Sequence, residues 1–188
     1  MDVHCMLEFE LIQVSVGTRD DLSLVPTDSE WDKLIDFADR HALLGVMLIG
    51  IEKLPQEQKP KFAMLLEWIG EALIIEEQNK VLEKNSEKVA KWLENDGLKC
   101  VVLKGCGLSQ FYPNPHRRQS GDIDIWITPM NGECLSKRRN RVVKYLRNRG
   151  VDGMEVYHNM PMELKDGTEV EVHFTPSWMN CWFTNRRL

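Results

Sequence analysis

No stretch of this chain is apolar for long enough to cross a bilayer. The most hydrophobic run, Ala42 to Ile51, is far shorter than the roughly 20 residues a spanning helix needs. The opening residues, MDVHCMLEFE, carry acids where an export signal carries bases and show no small-residue cleavage site after an apolar core. The five cysteines, Cys5, Cys100, Cys106, Cys134 and Cys181, are odd in number and include no C-x-x-C pair, which argues against a disulfide framework and a zinc knuckle. Reduced thiols, a cytoplasmic setting and no membrane partner are therefore expected. Basic residues are outnumbered, 24 Lys and Arg against 29 Asp and Glu for a net charge of -5, so whole-chain attraction to nucleic acid is not favoured.

What is present is an ordinary globular balance, with 188 residues of which 43% are hydrophobic and 28% charged. A chain of this size buries on the order of 70% of the surface its unfolded form exposes, enough for a core without metal or disulfide staples. The first half reads as helical. Thr27-Asp28-Ser29-Glu30 has the form of a capping box and Trp31 opens the apolar pattern, so a helix is predicted from about Asp28 to His41. Ala42 to Lys53 reads as a second, mostly buried helix stopped at Leu54-Pro55. From Lys61 to Asp96-Gly97 the apolar spacing predicts one long helix, or two with a break near Glu76 to Lys80.

After Gly97 the texture changes. Lys99 to Leu103 has the look of a buried strand feeding a glycine turn, Gly107 to Tyr112 of a short helix, and Asp122 to Ile127 of a half-buried strand. Leu135 to Arg149 reads as a helix capped by Gly150, and Met154 to Leu164 and Glu169 to Thr175 as strands joined through Asp166-Gly167. The order gives an α+β or α/β arrangement, divided into a helical part over 1–97 and a core over 98–188.

The chemistry gathers on two of these strands. Alternation places Asp122, Asp124 and Trp126 on one face of the first and Ile123, Ile125 and Ile127 on the other, with the two acids ~6.5 to 7 Å apart at their Cα atoms. The same alternation places Glu169, Glu171 and His173 together on the second strand. If the strands are neighbours, three acids cluster as ligands for one or two hard cations, magnesium or manganese. A D-x-D pair is by itself a weak metal signal, and the surrounding motifs carry the weight.

Those motifs are Leu103-Lys104-Gly105, Tyr112-Pro113-Asn114-Pro115, Arg118, Gly121-Asp122-Ile123-Asp124 and Glu171-Val172-His173. In this order they resemble a family of uncharacterised bacterial nucleotidyltransferases within the superfamily that includes DNA polymerase beta. The resemblance implies an α+β fold, a nucleotidyltransferase-like mixed sheet with flanking helices behind a helical N-terminal part. It implies Asp122, Asp124 and Glu171 as catalytic metal ligands for Mg2+ or Mn2+, with Glu169 and His173 as secondary candidates. It further implies Lys104, Gly105, Gly107 and Arg118 as nucleotide-binding residues. The activity implied is two-metal transfer of a nucleoside monophosphate from a nucleoside triphosphate such as ATP to an acceptor hydroxyl. The competing readings are a non-catalytic nucleotide-binding or regulatory protein on the same fold, and a metal-dependent phosphohydrolase.

The chain departs from the wider pattern at Gly105-Cys106-Gly107, where Gly-Ser or Gly-Gly is usual; members continue past the E-x-H strand, so the resemblance implies either that a C-terminal helical extension is lacking here or that the sequence is a piece of a longer chain. The 136–150 helix carries Lys137, Arg138, Arg139, Arg141, Lys144, Arg147 and Arg149 and no acid, a cationic face open between plain solvation and RNA binding. Trp178 and Trp182 are candidates for stacking on a base or packing on the sheet.

Overall fold

A computed structural model of the chain describes residues 4–177, with side chains from Leu7 onward. Trp178, Trp182 and Cys181 lie outside the described residues. No described helix is long and apolar enough to cross a membrane. Cys100, Cys106 and Cys134 are free thiols.

The chain forms two compact units, and the first is the described part of Met1–Lys80 together with Tyr112–Gln119. Its helices are α1 (His4–Val16), α2 (Asp28–Arg40), α3 (Leu44–Lys53) and the first part of α4 (Phe62–Asn95). Helix α1 has no counterpart among the elements read from the sequence. Leu7, Leu11 and Val14 share its buried stripe, but Glu10 is buried beside them and Phe9 is exposed, which blurs the apolar period. The Glu10 carboxylate accepts a hydrogen bond from the Ser23 backbone N–H at 2.8 Å and pairs with Arg19 at 3.3 Å.

Helix α2 starts as its sequence dictates. The Thr27 hydroxyl accepts from the Glu30 N–H, and the Glu30 carboxylate accepts from the Thr27 N–H at 2.7 Å. Every residue from Leu44 to Ile51 in α3 is buried. Trp31 and Trp68 meet edge to face at 6.1 Å in the core of this unit, and the Trp68 indole N–H donates to the Leu44 carbonyl at 3.0 Å. The Tyr-Pro-Asn-Pro loop belongs to this unit too. Asn79 donates to the carbonyls of His116 and Arg118, and Arg117 pairs with Glu52 at 2.7 Å and Glu76 at 2.8 Å. A Cβ on Gly45 would stand 2.2 Å from the Arg117 carbonyl oxygen, so glycine is required where this loop crosses α3.

Helix α4 is a single 34-residue helix with no break at Glu76 to Lys80, although the boundary between the units falls at Lys80. Trp68, Ala72 and Ile75 contribute to the first core; Leu82, Val89 and Leu93 contribute to the second.

The second unit is the described part of Val81–Phe111 and Ser120–Leu188. It is an α+β unit with β1 (Cys100–Val102), α5 (Lys104–Ser109), β2 (Ile123–Ile127), α6 (Leu135–Asn148), β3 (Asn159–Glu163) and β4 (Glu169–His173). The four-stranded sheet has the order β1-β2-β4-β3; β2 and β4 are parallel and the other pairs antiparallel. Strand β1 corrects the expectation of a buried strand: it lies at the sheet edge, and Val101 is exposed. Strand β3 begins at Asn159 rather than Met154, and the hairpin closes at Gly167 with φ +84°, a left-handed turn position that favours glycine. Ile123, Ile125, Ile127, Val170, Val172 and Phe174 are buried with Val89 and Leu93 of α4 and Val142 and Leu146 of α6.

Candidate metal centre

Parallel pairing of β2 with β4 sets Asp124 opposite Glu171 and Trp126 opposite His173. Because side chains alternate along both strands, this register gathers the polar positions on the face away from the apolar core. Asp124 and His173 are buried and Glu171 is partly buried. His173 Nε2 stands 2.7 Å from Asp124 Oδ1 and 3.3 Å from Glu171 Oε2. One donor atom from each of the three residues lies within 4.8 Å of the others.

The surrounding side chains hold this cluster in place. Asn159, paired with His173 in the register of β3, donates its amide to Glu171 Oε2. The Lys104 ammonium donates to Asp124 Oδ1 at 2.7 Å. The His158 ring stacks obliquely on that of His173 at 5.2 Å. Burial, and after it the neighbouring His173, lowers the His158 pKa. Partial burial opposes the Lys104 charge, but the hydrogen bond and charge of Asp124, with the charges of Glu171 and Asp122, raise its pKa overall.

Two carboxylates and an imidazole form a donor set for a divalent cation. The His173 Nε2 faces both carboxylates, its Nδ1 is buried with no hydrogen-bond partner among the described residues, and a cation at Nε2 would replace the proton shared there with Asp124. The two carboxylates suit magnesium or manganese, and the imidazole makes the set less typical of magnesium than an all-oxygen one.

The other sequence candidates are distributed as follows. Asp122 lies one residue before β2, half-buried and outside the three-residue cluster. Glu169 is exposed and paired across the hairpin with Glu163, also outside the cluster. Gly105 and Gly107 lie in α5, which starts at Lys104, three residues earlier than expected. Gly107 is demanded by packing, since a Cβ there would stand 2.5 Å from the Val102 carbonyl oxygen. Arg118 belongs to the first unit, where its carbonyl accepts from Asn79. Asn159 and His158 are not among the sequence candidates; neither carries a periodic signal, and only the hairpin register brings them to Glu171 and His173.

A cavity of about 710 Å³ is lined by Leu135, Ser136, Arg139, Glu155, Val156 and Tyr157, none of them a member of the cluster. Tyr157 precedes His158, and the Arg139 guanidinium stands 5.7 Å from the ring of Phe174, the residue after His173. The cationic helix α6 spends much of its charge inside the unit. Arg139, Arg141, Arg147 and Arg149 pair with Glu155, Glu133, Asp152 and Asp96, and Arg138 is buried.

Comparison with known proteins returned no matching curated protein and no matching solved structure. A family model described as an uncharacterised nucleotidyltransferase matches residues 27–188, so the match begins at the Thr27 cap of α2 and takes in the helical part from there as well as the sheet. The chain belongs to this family of uncharacterised nucleotidyltransferases.

Proposed function

We propose that the protein is a metal-dependent nucleotidyltransferase that moves a nucleoside monophosphate from a nucleoside triphosphate to an acceptor hydroxyl. The observation that carries this reading is the convergence of Asp124, Glu171 and His173 on the polar face of the sheet, in a chain of this family. These three residues would hold Mg2+ or Mn2+, with Asp122 adjoining as a further carboxylate. When bound, such cations neutralise the triphosphate, lower the pKa of the acceptor hydroxyl and stabilise the leaving pyrophosphate.

The protein's own groups do the positioning. Asn159 fixes the Glu171 carboxylate through its amide, so the acceptor oxygens face the cluster at little reorganisation cost. Lys104 supplies a positive charge beside the acids that can meet a phosphate oxygen. Gly105, expected to meet a phosphate, is buried in the first turn of α5. The cavity beside Tyr157 and Arg139 offers apolar walls, an aromatic ring and a guanidinium, a lining suited to a nucleobase or a planar acceptor. In-line displacement at the α-phosphate then requires no covalent protein intermediate.

The test is incubation with α-phosphate-labelled nucleoside triphosphates, Mg2+ or Mn2+, and candidate acceptors. A labelled adduct that falls about 10²- to 10³-fold in Asp124→Asn is the expected result. Free nucleoside monophosphate without adduct would establish the hydrolase reading, and triphosphate binding without turnover the regulatory one.

A further inference from the structure

Asp124 Oδ1 has two neighbours competing for one oxygen: the Lys104 ammonium at 2.7 Å and His173 Nε2 at 2.7 Å. The two sides of the lysine contact differ in exposure. The Asp124 side chain is 3% exposed, whereas that of Lys104 is 57% exposed, so the ammonium reaches the carboxylate from the solvent side and can withdraw into water. The backbone around Lys104 is built for this contact. Lys104 has φ +39°, a left-handed conformation that a side chain disfavours, and the N–H of Leu103 before it donates to the Asp124 carbonyl at 2.8 Å. That bond holds the residue before the lysine against the residue whose side chain the lysine neutralises. A divalent cation on Asp124, Glu171 and His173 would meet the ammonium at contact distance, where like charges repel strongly.

We propose that Lys104 is an exchangeable counter-ion: it neutralises Asp124 in the cation-free protein, is displaced when a divalent cation binds, and carries its charge to the triphosphate. The inference rests on the cation reading of the site given above. It assigns Lys104 two effects of opposite sign. The ammonium weakens binding of the bare cation, because the ion must displace it, and strengthens binding of the triphosphate once the cation is in place. A lysine that only supported the fold would not separate the two.

The experiment is a titration of the intact chain with Mn2+ alone, followed by electron paramagnetic resonance of the free ion, on wild type, Lys104→Met, Lys104→Arg and Asp124→Asn, each checked for folding by circular dichroism. Lys104→Met should bind Mn2+ about tenfold more tightly than wild type, and Lys104→Arg, which keeps the charge, within about threefold of it. With Mn2+ saturating, Lys104→Met should bind nucleoside triphosphate more weakly. Mn2+ binding that is present in wild type and lost in Asp124→Asn, but equal or weaker in Lys104→Met, overturns the counter-ion role and leaves the metal centre standing. Absence of Mn2+ binding in both wild type and Lys104→Met overturns the metal centre itself.

Discussion

The two compact units use buried polar groups in opposite ways. In the first, they close local accounts: Glu10 satisfies the Ser23 backbone and pairs with Arg19, and the Trp68 indole satisfies the Leu44 carbonyl, each inside a core of aliphatic and aromatic side chains. In the second, Asp124, Glu171 and His173 face one another across parallel strands with Lys104 and Asn159 against them, a concentration of charge that adds nothing to apolar burial. Clustered carboxylates repel unless a cation or ammonium stands between them, so a fold keeps them together at a cost. The contrast separates side chains that stabilise the fold from side chains proposed to hold a cation.

The contrast would break first at Trp68. Its side chain is fully buried against Trp31, so Trp68→Ala should cost about 3 to 5 kcal/mol of unfolding free energy, read from urea denaturation. A cost below about 1 kcal/mol would mean that the first core is not held by this aromatic pair.

Asn159→Ala sharpens the other side. It removes the amide that orients Glu171 and should weaken Mn2+ affinity or transfer activity about 10- to 100-fold, measured by metal titration and labelled-nucleotide assay. An unchanged cation affinity would show that Glu171 needs no orienting partner.

The smallest effect expected is at Glu133, which shows an acid in the second unit used for structure. Arg141 grips its carboxylate at two points, each 2.8 Å, and the Arg141 hydrogen bond is the main reason the Glu133 pKa drops from 4.5 to about 2. A lowered acid pKa stabilises the fold above the unfolded value and loses that contribution as the pH falls through the folded one. Arg141→Met should therefore be less stable than wild type by roughly 1 to 2 kcal/mol at neutral pH. The gap should narrow between pH 4.5 and about 2 in urea denaturation run across that range. A gap independent of pH would assign the loss to packing of the Arg141 stem.

How much of this was legible in the sequence follows from the length scale of each signal. The capping box at Thr27 and the Asp166-Gly167 hairpin are local patterns that formed where their residues dictate, whereas the strand expected half-buried over Asp122 to Ile127 starts at Ile123 and is buried at all but Trp126. The parallel pairing that puts Asp124 opposite Glu171 is not local, and alternation left it conditional. His173, weighed as secondary, lies at the centre of the cluster, between both carboxylates. Helix α1 was hidden because a buried acid and an exposed phenylalanine interrupt its stripe. Strand β1 read as buried because its β-branched residues suit an edge as well as a centre. Gly107 reads as a phosphate-binding glycine by motif, while the structure adds a packing reason of its own at Val102.

The central claim is that Asp124, Glu171 and His173 form one divalent-cation centre. The most direct measurement is a crystal structure of the chain soaked in Mn2+, with anomalous scattering recorded to locate the ion. The account predicts an anomalous peak bounded by Asp124, Glu171 and His173, with the Lys104 ammonium moved off Asp124. Full Mn2+ occupancy elsewhere, with this cluster empty and Lys104 still on Asp124, would contradict it.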